Sequence, residues 1–392
     1  MAGVGGWSCY AAGVMARDRV NGANDECELP ILRVLHVADG GAFTRFGRMF
    51  RQLGLALPSE GVRMTLLTDD PVAVADLDGT PVDVQAVDSL NGWGAWGLRA
   101  YLRRQFDPPP DVVHVWGTAS LGALRGWADE IGAPLLIYVS SQREVERLRR
   151  RSLRPGEWVG AACEEYGEML RARWPTLAGA CRVLRPCVLM PARVRELAVR
   201  DKTLGIVWAG TVDKHSGLEV LVEAAAQLRS KDVDFQVALL GRGPATGHIW
   251  SEIRRRRVQD RFSLIAEPHL WDQAMAGADV CVVPACQQEL SLAPLLAMAE
   301  AKVVVASRDQ VADWFIEDET SLQFTPGSAV ELAYHVTRTA VGHPNVLALA
   351  RSAAEYVRAN HAVTRLVEEL AEVYRSMVSA AAEKVAANGD GE

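Results

Sequence analysis

The chain has 392 residues, of which 49% are hydrophobic and 23% charged. At roughly 100 to 200 residues per domain, this predicts two or three domains with sizeable cores and excludes disorder or a fibrous repeat for the bulk of the chain. Lys and Arg (42) against Asp and Glu (49) leave a net charge of −7, which gives no attraction to nucleic acid.

The first 30 residues lack a basic segment followed by an apolar core, so they are expected to form a disordered leader rather than a signal peptide. From Ile31 onward, short apolar runs alternate with helical patterns, as βαβ units of a parallel sheet do. Strands are predicted at Leu32–Val37, Met64–Thr68, Val112–Trp116 and Leu135–Ser140. A second series follows from Leu204, at Ile206–Ala209, Gln236–Leu240, Phe262–Ile265, Val280–Pro284 and Val303–Ser307. Helices are expected at Gly217–Arg229, Leu292–Ala299 and Ala329–Thr339, then a long amphipathic segment Val346–Ala381 and a loose tail. Each strand is almost wholly apolar, as strands covered by helices on both faces are.

The fold class is therefore α/β, with two Rossmann-like doubly wound domains facing a central cleft. The expected divisions are a leader 1–30, a first domain 31–190, a second domain 203–345, C-terminal helices 346–381, and a flexible tail 382–392. The hinge falls in Pro186–Arg200, where Pro186 and Pro191 interrupt the periodicity. Ligands of open α/β sheets bind beyond the carboxyl ends of the strands, so the cleft is the natural site.

Several features carry chemistry or plain packing. Gly40 and Gly41 follow the first strand and either open the backbone to a ligand or make a tight turn. Gly241-Arg242-Gly243-Pro244 reads equally as a turn needing positive φ. Trp116 and Trp208 end strands where stacking on a sugar or base is open to them, although packing is the commoner use of a tryptophan. His36 and His114 lie in apolar strands and read as core groups, and no Cys, His or carboxylate cluster has zinc spacing. Seven cysteines without a CxxC pair read as reduced thiols of a cytoplasmic protein. Gln142–Arg154 holds six arginines and Arg254–Arg257 four in a row. Either these meet anionic headgroups on a membrane's inner face, or they form solvated faces with carboxylates such as Glu144 and Glu146 at i,i+4. No GxSxG elbow, GxGxxG fingerprint or P-loop is present.

In order along Ile31–Tyr374, the motifs resemble those of nucleotide-sugar glycosyltransferases of the GT-B fold, family 4. They are Val34-Leu35-His36-Val37 with Gly40-Gly41-Ala42, Asp111-Val112-Val113-His114-Val115, and Pro134–Val139. Ala209-Gly210, Gly217 and Leu221–Ala224 follow, then Gly241–Pro244, Ala278–Pro284, Ala297-Met298-Ala299 and Val304–Ser307. The resemblance implies sugar transfer from a nucleoside-diphosphate sugar, with retention, to a glycan, lipid-linked or small acceptor, as in polysaccharide biosynthesis, with no cofactor or metal, and C-terminal helices 346–381 that cross back to the first domain. It places the donor at Gly210, Thr211, Lys214, Ser216, Gly241, Gly243 and Leu296, the catalytic position at Gln288 or the adjacent Glu289, and the acceptor side at Gly40, Gly41, Ser140 and Trp116.

At five of these positions the chain departs from the family. Thr211 and Ser216 stand for an Arg and a Lys that neutralise the diphosphate. Gln288 and Leu296 stand for two glutamates eight residues apart, and Ser140 stands for a histidine. The alternative is therefore a catalytically degenerate GT-B protein that binds a nucleotide, a glycan or a partner.

Overall fold

The computed structural model describes residues 31–389, except 91, 93, 119, 152, 155, 192–202, 268, 269, 287 and 288. The expected leader, most of the expected hinge and the last three residues lie outside the described residues, as do Cys9 and Cys27.

The first half is β1 (Leu32–Ala38), α1 (Gly40–Ala56), β2 (Val62–Thr68), β3 (Asp83–Ala86), α2 (Gly94–Gln105), β4 (Val112–Trp116), α3 (Leu121–Ile131), β5 (Leu135–Val139), α4 (Gln142–Arg149), β6 (Glu157–Ala161), α5 (Glu164–Arg173) and β7 (Cys181–Val183). Its seven strands form one parallel sheet in the order β3-β2-β1-β4-β5-β6-β7. Every residue of β4 and β5 is buried, the consequence of helices on both faces.

The second half is β8 (Leu204–Ala209), α6 (Leu218–Ser230), β9 (Phe235–Leu240), α7 (Thr246–Arg255), β10 (Phe262–Ile265), α8 (Trp271–Gly277), β11 (Val280–Val283), α9 (Ala293–Ala299), β12 (Val303–Ser307), β13 (Leu322–Phe324) and α10 (Ala329–Ala340). These strands form a second parallel sheet, β10-β9-β8-β11-β12-β13. Sequence reading misses β3, β6, β7 and β13. β3 is a polar edge, β7 and β13 have three residues each, and β6 carries Glu157, which is buried because Arg125 meets it at 2.6 Å.

The long C-terminal segment is two helices, α11 (Pro344–Asn360) and α12 (Val363–Gly389). His361 separates them and ties the break to the link between the lobes. Its Nδ1–H donates to the Pro186 carbonyl at 2.7 Å, and its own carbonyl accepts from the Val188 amide at 2.9 Å. α11 packs on α9 and β12, whereas α12 packs on α1 and β4. Leu366, Leu370, Tyr374 and Met377 thereby enter the core of the first lobe. α12 also runs on through Gly389, where a loose tail from residue 382 is expected; small and charged residues such as Ala and Glu suit a helix as well as a coil.

Candidate functional site

β1 ends at Ala38, and Asp39 caps α1 by accepting the Ala42 amide at 2.8 Å. Gly40 and Gly41 are thus the first two residues of a 17-residue helix. The Gly40 amide is already donated to Asp69 Oδ1 at 2.7 Å, while Gly41 is exposed. Asp69 also accepts the Leu90 amide at 3.0 Å, so one carboxylate straps the start of α1 to the loop before α2.

One turn further along α1, Arg45 reaches two carboxylates. Its guanidinium lies 3.0 Å from Glu144 on α4 and 3.2 Å from Glu289, which belongs to the second lobe's loop after β11. Burial opposes the charge on Arg45, but Glu144 and Glu289 more than offset it, and the guanidinium is held above its ordinary pKa. Glu144 accepts the Ser140 amide at 2.8 Å and the Ser140 hydroxyl at 3.3 Å. Ser141 and Glu289 form an antiparallel bridge, and the Leu290 amide donates to the Ser140 carbonyl at 3.1 Å. The carboxyl end of β5 and the loop after β11 therefore meet backbone to backbone, with Arg45 spanning the junction.

Of the two expected catalytic positions, Gln288 lies outside the described residues. Glu289 sits at this junction with a half-exposed side chain. Ser140 is buried and spends its hydroxyl on Glu144, so it builds the junction and presents no free hydroxyl to an acceptor. Trp116 corrects the expectation of stacking. It is 2% exposed, lies among Phe46, Phe50, His114 and Tyr138, and has no face open to a ligand.

On the other side of the cleft, glycines let backbones touch. A Cβ on Gly241, whose φ is +132°, would lie 2.0 Å from the Gly210 carbonyl oxygen, and one on Gly243 would lie 2.3 Å from the Val212 carbonyl oxygen. The amides of Gly210, Gly241 and Gly243 are spent on Leu240 O, Ile265 O and Thr246 Oγ1. An amide cradle at these three glycines, the expected means of holding phosphate, is thus already filled by the protein. Asp213 shapes the turn that follows, accepting the His215 amide on Oδ1 at 2.8 Å and the Ser216 hydroxyl on its carbonyl at 2.7 Å. Thr211 and Lys214 are exposed; Ser216 is half-buried. Gly217 caps α6 at φ +67°, and a Cβ there would fall 2.7 Å from Ala285, which brings the amino end of α6 against the loop that carries Glu289. Leu296 is half-buried on α9 and packs on the apolar core.

Sequence reading singles out neither Arg45 nor Glu144 as site residues. Glu144 reads there as an i,i+4 partner for arginines of α4; in the structure it turns inward to Arg45. The signal was thin: an Arg one helical turn after Gly40-Gly41. Arg242 is also exposed, and its carbonyl accepts from the Val212 amide at 3.3 Å, beside the turn that holds Lys214.

His36 and His114 are core groups. Trp116 Nε1–H donates to His36 Nδ1 at 3.1 Å, which leaves the proton of His36 on Nε2, 3.4 Å from the Tyr374 oxygen; the Tyr374 hydroxyl lies 2.7 Å from His114 Nδ1. Burial lowers the pKa of His36 to about 3 and that of His114 well below its ordinary value. The five described cysteines are free, and no cluster of three or more His, Cys, Asp or Glu that could hold a metal occurs among the described residues. No helix among them is long and apolar enough to cross a membrane.

Two parallel α/β lobes meeting at the carboxyl ends of their strands, with a C-terminal helix returned to the first lobe, define the GT-B fold. Within it, residues 203–341, which make up most of the second lobe, match the family described as glycosyl transferases group 1. HepE of Anabaena, solved in complex with UDP-glucose, superposes with a TM-score of 0.72 at 15% identity over 88% of this chain and 100% of its own. Sucrose-phosphate synthase of Thermosynechococcus elongatus gives 0.69 at 20% identity over 89% and 100%. In sequence, the alpha-D-kanosaminyltransferase of Streptomyces kanamyceticus is 26% identical over 189 residues, 47% of this chain. The chain spans about half the length of that curated relative, 49%.

Proposed function

We propose that the chain is a retaining glycosyltransferase, moving a sugar from a nucleoside-diphosphate donor on the second lobe to a glycan, lipid-linked or small acceptor on the first. The observation that carries this reading is Glu289. The second lobe delivers it to the carboxyl ends of the first sheet's strands, held by Arg45 and still half-exposed toward the cleft. A carboxylate there hydrogen-bonds hydroxyls of a transferred sugar, while Arg45 fixes its rotamer, so that positioning is supplied before substrate arrives. The UDP and UDP-glucose complexes of HepE support a nucleotide sugar as donor. With Thr211 and Ser216 in place of two cations, the charge facing the diphosphate falls to Lys214 and Arg242 on adjoining turns. The reading places the protein in the cytoplasm, with a peripheral contact to the inner face of a membrane through exposed arginines of α4.

A second reading, a GT-B protein that binds without turnover, is favoured by Leu296, which offers no hydrogen bond to a ribose. One experiment separates them. Titration of UDP-, GDP- and ADP-sugars should raise the melting temperature saturably under both readings, and release of nucleoside diphosphate with time should follow only under the first. Stabilisation without release, across a panel of acceptors, would leave the binding protein.

A further inference from the structure

Beyond the Arg45 junction, the first lobe holds a cavity of about 220 Å³ at the carboxyl end of β4, between α2 and α3. Leu90, Leu98 and Leu121 make its apolar wall, Thr118 and Arg151 bring polar groups to it, and Gly122 opens it. Thr118, 8% exposed, lines the cavity, and no hydrogen bond from its hydroxyl to the described residues occurs. Arg151 is the only charged residue among the described residues of the lining. The amino end of α3 opens here as well: Ser120 caps it in the left-handed region, φ +54°, with its hydroxyl given to the Leu90 carbonyl at 2.7 Å and none to the helix amides.

Positive charge without a carboxylate partner is concentrated on the segment that ends at Arg151. Arg143, Arg147, Arg149, Arg150 and Arg151 are all exposed, and none has a carboxylate partner among the described residues. The carboxylates expected to pair with them are engaged elsewhere, Glu144 by Arg45 and Glu146 by Gln142. Position relates the cavity to the junction. A Cβ on Gly117, one residue before Thr118, would touch Glu144 Oε1 at 3.0 Å, and Asp69 ties Leu90 to the start of α1.

The geometry points to this cavity as the site for the apolar, anion-bearing part of an acceptor: a compact ring or chain among the leucines, its phosphate or carboxylate against Arg151, Thr118 and the amino end of α3. Cationic acceptors are rejected by the same field. The inference rests on the transferase reading for the word acceptor, and on the cavity alone for binding.

Phenyl phosphate, phenol and benzylamine serve as probes of the full chain by calorimetry, with UDP titrated in parallel. Phenyl phosphate should bind saturably and the other two far more weakly. Gly122→Phe, which places a ring where an added Cβ meets nothing within 4 Å, should abolish binding. Arg151→Gln should weaken it by about tenfold or more, whereas Arg147→Gln, on the same face but outside the lining, should leave it within about twofold. UDP affinity should be unchanged in all three variants. Phosphatidic acid vesicles distinguish the source of the phosphate. Binding that phenyl phosphate displaces and Arg151→Gln weakens supports a lipid-borne group, and binding of phenyl phosphate alone supports a free one. Phenyl phosphate affinity that ignores Gly122→Phe, or benzylamine bound as tightly, overturns the inference while leaving the donor site standing. Loss of UDP binding with phenyl phosphate still bound overturns the transferase reading instead.

Discussion

Gly241 and Tyr374 show how single atoms hold the two halves of the cleft. Gly241→Ala forces a methyl group to 2.0 Å from the Gly210 carbonyl oxygen at a backbone angle that favours glycine, and should cost about 2 to 4 kcal/mol in urea unfolding. Tyr374→Phe removes the hydroxyl between His36 and His114 and leaves two buried ring nitrogens without it; a loss of about 1 to 3 kcal/mol is expected in the same assay. The buried histidines also set a pH dependence. The folded pKa values of His36 (about 3) and His361 (about 4) lie below the ordinary 6.5, mainly through burial. Between those values and 6.5 the unfolded chain binds more protons, so the stabilisation is full above pH 6.5 and is lost as pH falls toward the folded values. The unfolding free energy from denaturant titrations should fall between pH 7 and pH 5, by about 2 kcal/mol for each of the two histidines. A flat profile over that interval would contradict the neutral, buried assignment.

Among the elements, the turn from Gly210 to α6 is where the proposed donor's diphosphate would rest. Its glycine amides are occupied and the family's two cations are replaced, which leaves Lys214 as the turn's exposed ammonium and Arg242 next to it. Lys214→Ala should weaken UDP binding by about 1.5 to 3 kcal/mol in calorimetry, and Thr211→Arg with Ser216→Lys should strengthen it. If neither change moves the affinity, the donor does not sit on this turn. α12 is the other decisive element. Its apolar residues Leu366, Leu370, Tyr374 and Met377 complete the core of the first lobe, although they lie far beyond that lobe in sequence.

At the scale of the whole molecule, the described residues join the lobes at the Arg45–Glu289 junction in the cleft, at an ion pair between Arg48 of α1 and Asp272 of α8, and at the link where Arg185 meets Asp313 and His361 meets Pro186. Arg45→Ala frees Glu289 and leaves Glu144 buried without its cation. Because Arg45 belongs to the first lobe and pairs with the expected catalytic position Glu289 and with none of the expected donor-binding residues, the change should lower nucleotide release from a sugar donor by about tenfold to a hundredfold while UDP affinity stays within about twofold. Glu289→Gln, which keeps the shape and removes the charge, should show the same split. Equal losses in turnover and UDP affinity would place both residues in donor binding.

Much of this architecture is written in the sequence. Short, nearly continuous apolar runs separated by helical patterns specify parallel sheets wherever strands are buried on both faces, and β1, β4, β5, β8, β11 and β12 all stand within a residue or two of their expected places. Short polar edges such as β3 and β7 are not legible, because an edge strand is stabilised by its neighbour and not by its own pattern. The sequence also marks Glu289 and the glycines of the second lobe as site positions. The partners of Glu289 were decided by the tertiary structure alone. Arg45 and Glu144 lie 99 residues apart in the chain and Glu289 lies much further along, so their meeting depends on the crossing of β1 and β5 ends with a loop from the other lobe. The same packing buries Trp116 and Ser140, whose positions at strand ends suggested exposure, because α1 covers the tryptophan and Glu144 turns inward to take the serine. A local pattern encodes which face of an element is apolar; which distant charge satisfies a buried one is settled only when the lobes close on each other.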